Sequence, residues 1–247
     1  SVLSVYFLGL YRTSLAMVGA LLGIVTSATT PILFAALSRL QDDDDAFHAM
    51  FFRIQRVVAY FVLPMGIGVY LYSDVATQLF LGSQWHEAGD IIGIWALTSV
   101  LMIVFGHYSS EVYRAKGKPR LSFLAQVLHL VVLVPTCVIS LRYGFWTLVY
   151  ARALIRMQFI LVHLGIMGYV VKFPVKRIFP NVKKPLLFTL LMGGLALGLQ
   201  QISPNTTWSL FSIGICALAY FSLMWLFAKN DVQLIMNLLL KRQPSTL

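Results

Sequence analysis

Apolar runs of about 20–30 residues recur seven times along the chain, the length a helix needs to cross a bilayer. No other feature limits the fold as strongly. Hydrocarbon offers no hydrogen-bonding partner, so a spanning chain must close its backbone bonds within helices or a sealed barrel. Barrel strands alternate apolar and polar residues over about ten positions. These runs are continuous, so the spans are helices. The chain is 59% hydrophobic and 11% charged, against about 45–50% and 25% in soluble domains. The expectation is an all-α polytopic membrane protein with about seven transmembrane helices.

The apolar pattern predicts helices near 9–39, 46–72, 87–115, 119–141, 144–171, 184–201 and 207–229. Residues 1–8 read as the tail of a missing upstream helix or outer loop, and the chain as a piece whose N-terminal part is absent. Residues 172–183 read as a basic linker. The stretch 230–240 is too short to span, and 230–247 is expected to form an interfacial tail.

Basic residues fall on one side of this topology. That side holds Arg39, Arg53 and Arg56; Arg114, Lys116, Lys118 and Arg120; Lys172, Lys176, Arg177, Lys183 and Lys184; and Lys229, Lys241 and Arg242. The opposite side holds only Arg12 and Arg142. The positive-inside rule makes the basic side cytoplasmic, with the C-terminus inside and the N-terminus outside. The net charge of +10 therefore needs no nucleic-acid partner. No signal peptide is visible. Cys137 and Cys216 sit in apolar runs and read as small buried hydrophobes.

Pro31, Pro64 and Pro135 lie inside spans, where each removes a backbone bond and bends its helix. Packing adaptation explains such bends; a hinge is the alternative, most of all at Pro64 with Gly66 and Gly68.

The fifth span poses the sharpest question. "LVYARALIRMQFILVHLGIMGYVV" carries Arg152, Arg156 and His163. At about 100° per residue, Arg156 lies about 40° and His163 about 20° from Arg152, on one shared face. Arg156 falls close to the midplane, where a charge costs at least about 2.5–3.5 kcal/mol. Glu111 is the one acid well within a span, and it sits near a span end. Either an acid on a neighbouring helix neutralises these groups, or they face a water-filled cavity and an anion. Guanidinium forks bind phosphate and carboxylate bidentately, which favours the second reading.

Other polar positions carry weaker signals. His107 and Glu111 lie four apart on the third span. Ser122, Gln126, His129, Thr136 and Ser140 form a stripe on the fourth. Helix-to-helix hydrogen bonding is the plain reading. Lining a lumen or relaying protons through His107, Glu111, Gln126 and His129 is the sharper one. Asp42 to Asp45 precede a helix and read as a cap, against a glycosyltransferase-like metal and nucleotide-sugar site. The sequon at Asn205-Thr206-Thr207 lies close to the membrane and carries no argument. No catalytic arrangement, metal-ligand spacing or phosphate loop appears, so no cofactor, metal site or enzymatic activity is expected.

These residues resemble a known family. "GLYRTSLAMV" with "PILFAALSRLQDD", then "VLPMGIGVYLYSDVATQLFLGSQWHEAGDIIGIWAL" and "YRAKGKPR", are similar to helices eight to ten of polysaccharide flippases. Leu81 to Ala88, a Leu-Gly-x-x-Trp-x-x-Ala core, is the most specific piece. The family is the Wzx-like exporters, within the superfamily that includes the multidrug (MATE) antiporters. The resemblance implies the C-terminal lobe of a fourteen-helix transporter in a bacterial plasma membrane. Helices eight to twelve would lie in 9–171, with two further helices in 184–229. It implies transport of a polyprenyl-diphosphate-linked oligosaccharide to the outer leaflet by alternating access, coupled to a proton or sodium gradient. Partners would be that lipid-linked anionic glycan, membrane lipid, the absent N-terminal lobe, and glycan polymerase and assembly proteins.

Three rivals differ in what they require. A MATE-type cation antiporter needs carboxylates in its lumen. A membrane glycan polymerase or glycosyltransferase needs Asp42 and Asp43. A non-transporting scaffold tolerates loss of both arginines.

Overall fold

A computed structural model describes residues 4–203 and 205–240. Residues 241–247, the end of the expected tail, lie outside the described residues, as do residues 1–3. Among the described residues there are helices and no strands. Six helices are long and apolar enough to span a membrane, and a bent pair makes a seventh. The all-α polytopic expectation holds.

The spans are α1 (Val5–Arg39), α2 (Asp44–Leu71), a third helix in two pieces, α6 (Arg120–Leu141), α7 (Phe145–Gly165), α9 (Lys183–Gln200) and α10 (Thr206–Phe227). The third comprises α4 (Ala88–Met102), a π-helical turn over Ile103–His107, and α5 (Ser109–Ala115). The short helices are α3 (Ser73–Phe80), α8 (Ile178–Asn181) and α11 (Lys229–Leu240).

One boundary differs from the sequence reading, and three local features add to it. Residues 5–8 are not a separate tail: they begin α1, capped by Ser4 Oγ, which accepts from Phe7 N at 3.3 Å. The apolar run has no breaker there, so the helix continues through it. The loop between the second and third spans contains α3, whose Asp74 lies in the first turn. The basic linker is structured, with a 3₁₀ turn at Val175–Arg177 leading into α8, bent 42° from α9. Finally, α7 ends in a π turn over Ile166–Val170.

The third span is the centre of the bundle. It is 67% buried, against 17% for α1 and for α6, and α4 packs on α1, α2, α3 and α7. Leu10, Leu37, Phe47, Ile91, Ile92 and Tyr113 are fully enclosed around it. Its closest approach is to α2 at Gly66, where an added Cβ would stand 2.2 Å from Val100 Cγ1.

The helical irregularities are met by neighbouring side chains. Pro64 has no N–H to offer the carbonyl of Tyr60, and Tyr220 Oη of α10 donates to it at 2.8 Å. The π turn contains the Val104 carbonyl, which accepts from Gln55 Nε2 at 3.0 Å. Gln55 Oε1 in turn accepts from Asn181 Nδ2. Asn181 Oδ1 receives Arg56 Nε and Nη2 at 3.0 and 2.7 Å. Arg56 Nη1 reaches Asp231 Oδ1 at 3.1 Å, and Tyr60 Oη donates to Asp231 Oδ2 at 2.8 Å. This network joins α2, α8 and α11 at the basic end of the bundle.

Two stability outcomes follow. Gly66→Ala forces α2 away from α4 and costs about 1–3 kcal/mol, as overpacking does. Asp231→Ala strands Tyr60 and Arg56 and costs about 1–3 kcal/mol, with Asp231→Asn retaining part of it. Thermal unfolding of the purified full-length parent in detergent reads both.

Candidate anion-binding site

Gly144, at φ 102°, starts α7 with a backbone that side chains rarely adopt. From there α7 runs unbroken past Arg152 and Arg156, one turn apart. Both face the helices that pack across α7 and α4. Arg152 Nε donates to Tyr11 Oη of α1 at 3.3 Å. The Arg156 guanidinium carbon lies 4.4 Å from the centre of the Trp95 ring on α4. Tyr11 meets Trp95 edge-on, with ring centres 6.0 Å apart. One aromatic pair therefore holds both arginines.

No carboxylate joins them. The ion pairs among the described residues are Arg56–Asp231, Arg114–Glu111 and Lys116–Asp44. Arg156 Nε is buried with no hydrogen-bond partner among the described residues. A buried, unpaired charged donor costs more than a neutral one, and a ring face supplies electrostatic attraction without accepting that N–H in the guanidinium plane. Arg156 therefore keeps one in-plane donor unmatched among the described residues.

The other sequence candidates are placed differently. His163 is 3% exposed. Its Nδ1 is 3.3 Å from Tyr113 Oη, which also donates to the His163 carbonyl at 3.1 Å. His129 Nδ1 is 3.0 Å from Gln158 Oε1, and the ring stacks on Phe159 at 4.3 Å. His107 is exposed on the π turn, 3.3 Å from Thr30 Oγ1. Glu111 accepts both its bonds from Arg114 Nη1, at 3.0 and 3.2 Å. Gln126 is exposed on α6. The structure thus joins Arg152 to Arg156 and sets His163, His129 and Glu111 in local packing partnerships. Along the α6 stripe, Thr136 bonds back to the Val132 carbonyl and Ser122 Oγ is buried.

Asp43 caps α2, accepting from Ala46 N at 3.0 Å, and Asp44 receives Lys116 Nζ at 2.6 Å. Among the described residues no group of His, Cys, Asp and Glu is arranged for a metal.

Sequence reasoning missed Tyr11, Trp95 and Gln158. Their residue types are ordinary for membrane helices, and no local spacing ties positions 11 and 95 to 152 and 156. Two cavities lie elsewhere. An apolar one of about 500 Å³ opens between α2, α3, α9 and α10 beside Pro64, Gly68 and Tyr220. A polar one of about 350 Å³ lies between α2, α4 and α7, with Tyr70, Asp90 and Tyr150. Neither is lined by an arginine.

Comparison with known proteins agrees with this fold. Residues 1–90 match the family described as polysaccharide biosynthesis protein. The teichuronic acid biosynthesis protein TuaB of Bacillus subtilis (strain 168) is 23% identical over 194 residues, covering 78% of this chain and 40% of TuaB. The lipopolysaccharide biosynthesis protein WzxC of Escherichia coli (strain K12) is 24% identical over 111 residues, 45% of this chain and 22% of WzxC. The lipid II flippase MurJ, in an inward closed conformation, superposes with a TM-score of 0.66 at 18% identity. That match covers 89% of this chain and 48% of MurJ.

This chain is similar to the Wzx-like polysaccharide flippases. The resemblance read from its residues is borne out, and its fold is that of a flippase. The chain spans less than half the length of each relative named here.

A structural arginine and a ligand-binding one differ in stability. Arg156→Met removes the unpaired donor and keeps an apolar stem against Trp95. The expected result is thermal stability equal to or above the parent's. A loss above about 1 kcal/mol assigns Arg156 a structural partner instead.

Proposed function

We propose that this chain is the C-terminal lobe of a bacterial transporter that flips a lipid-linked oligosaccharide across the plasma membrane. Residues 9–171 supply helices eight to twelve of that transporter, and 184–229 two further helices. The substrate is a polyprenyl-diphosphate-linked glycan. Its diphosphate and acidic sugars pass along the face bearing Arg152 and Arg156, while the polyprenyl chain stays in lipid. The basic end of the bundle, with the C-terminus, faces the cytoplasm. An N-terminal lobe closes the other half of the path, and glycan polymerase and assembly proteins act beside it.

The observation that carries this reading is the pair of guanidiniums held by Tyr11 and Trp95, neither in an ion pair among the described residues. A cation-exporting antiporter of the same fold fits less well, since Glu111 is already bound to Arg114. A glycosyltransferase fits less well because Asp43 and Asp44 are occupied in capping and in pairing with Lys116. In this reading the chain is not an enzyme, and His163 holds α7 to α5 without touching substrate.

The test is export of surface polysaccharide by the full-length parent carrying Arg152→Ala, Arg156→Ala or the lysine variants. Loss of an unscreened charged hydrogen bond costs about 1.5–3 kcal/mol, or roughly 10–150-fold in binding. Export should fall strongly in the Ala variants and recover in part with Lys, which keeps the charge but not the fork. Normal export with normal expression in both Ala variants would remove the arginines from the path.

A further inference from the structure

From Val112 to Asn230 the sequence contains no Asp or Glu. Within that stretch, Lys172, Lys176, Arg177, Lys183 and Lys184 fall in thirteen residues. The structure folds those residues into a small cap on the basic end. Ile178 and Val182 point inward and are fully enclosed. All five cations are exposed, and none takes part in an ion pair among the described residues. The nearest acid in sequence, Asp231, is bound to Arg56 and Tyr60.

Two of these cations occupy a costly place. Lys183 and Lys184 lie in the first turn of α9, which has no acidic residue and no side-chain cap. A helix N-terminus disfavours positive charge. The cap also carries exposed aromatics, Tyr169 at 82% and Phe179 at 56%. Aromatic rings beside long basic side chains match a bilayer interface: the rings and methylene stems sit at the hydrocarbon edge and the charges reach the phosphates.

We infer that residues 169–184 form a docking surface for the anionic phospholipid headgroups of the leaflet at the basic end. The partner is bilayer lipid and not the transported diphosphate, because α8 and α9 pack on α2, whereas the arginines face α1 and α4. This surface does not depend on the proposed transport: it would be present in any protein with this cap.

The experiment is native mass spectrometry of the full-length parent in detergent, titrated with phosphatidylglycerol, phosphatidylcholine or farnesyl diphosphate. The variant carries Lys172→Gln, Lys176→Gln, Arg177→Gln, Lys183→Gln and Lys184→Gln. Each cation near an anionic lipid surface contributes about fivefold, so phosphatidylglycerol binding should fall by about tenfold or more. Phosphatidylcholine binding should not change. Arg156→Ala should leave phosphatidylglycerol binding intact, which separates this surface from the transport path. Exchange of the four lysines for arginine should preserve it. If the fivefold variant does not fold, Lys176→Gln with Arg177→Gln, and Lys183→Gln with Lys184→Gln, are measured as separate pairs. Unchanged phosphatidylglycerol binding in the fivefold variant, or in both pairs, overturns the inference. So does a loss of farnesyl diphosphate with phosphatidylglycerol retained.

Discussion

A bilayer interior supplies no water to complete a broken hydrogen bond, and nearly every feature of this chain answers to that shortage. It forces the backbone into helices. It also decides what happens where a helix departs from regularity. Pro64 leaves the Tyr60 carbonyl free, and α10 is drawn in through Tyr220 to meet it. The π turn at Ile103–His107 presents the Val104 carbonyl, and Gln55 meets that. Gln55 is then bound by Asn181, which holds Arg56, which holds Asp231. The trailing helices are thus attached to the lobe through the repairs that its irregular helices need.

The same shortage makes Arg156 conspicuous. Near the basic end Glu111 pairs with Arg114, and Lys116 with Asp44 and the Gln41 carbonyl, while Ser122 Oγ and Thr189 Oγ1 are buried without a partner among the described residues. Arg156 has a ring face and a neighbouring guanidinium, and its Nε remains unmatched among the described residues. α1, like α6, is little buried along its length.

Much of this was legible in the sequence. Periodicity is irrelevant when whole helices are apolar, so the length of each run located the spans. The short helix α3 and the cap helix α8 were not legible as helices, because each is too short for a pattern to register. The arginine face was readable from the helical angle between positions 152 and 156. Its partners were not. Tyr11 and Trp95 lie 141 and 61 positions from the arginines they touch, and nothing local distinguishes them from other aromatic residues in apolar helices. His163 shares the arginines' angle along α7, yet packing against Tyr113 claims it; a shared face is not a shared site once a neighbouring helix covers part of it.

The central claim is that the arginine face opens to water rather than to lipid. Thiol accessibility tests it most directly, in a full-length parent freed of its other cysteines. Arg156→Cys is compared with Leu154→Cys, whose parent side chain is 64% exposed on the outside of α7. The account predicts that an anionic, membrane-impermeant methanethiosulfonate labels the Arg156→Cys protein in whole cells or inverted vesicles and leaves Leu154→Cys unlabelled. Labelling of both positions by a lipid-soluble maleimide alone would place the arginine face in hydrocarbon or in a sealed packing interface, and would contradict it.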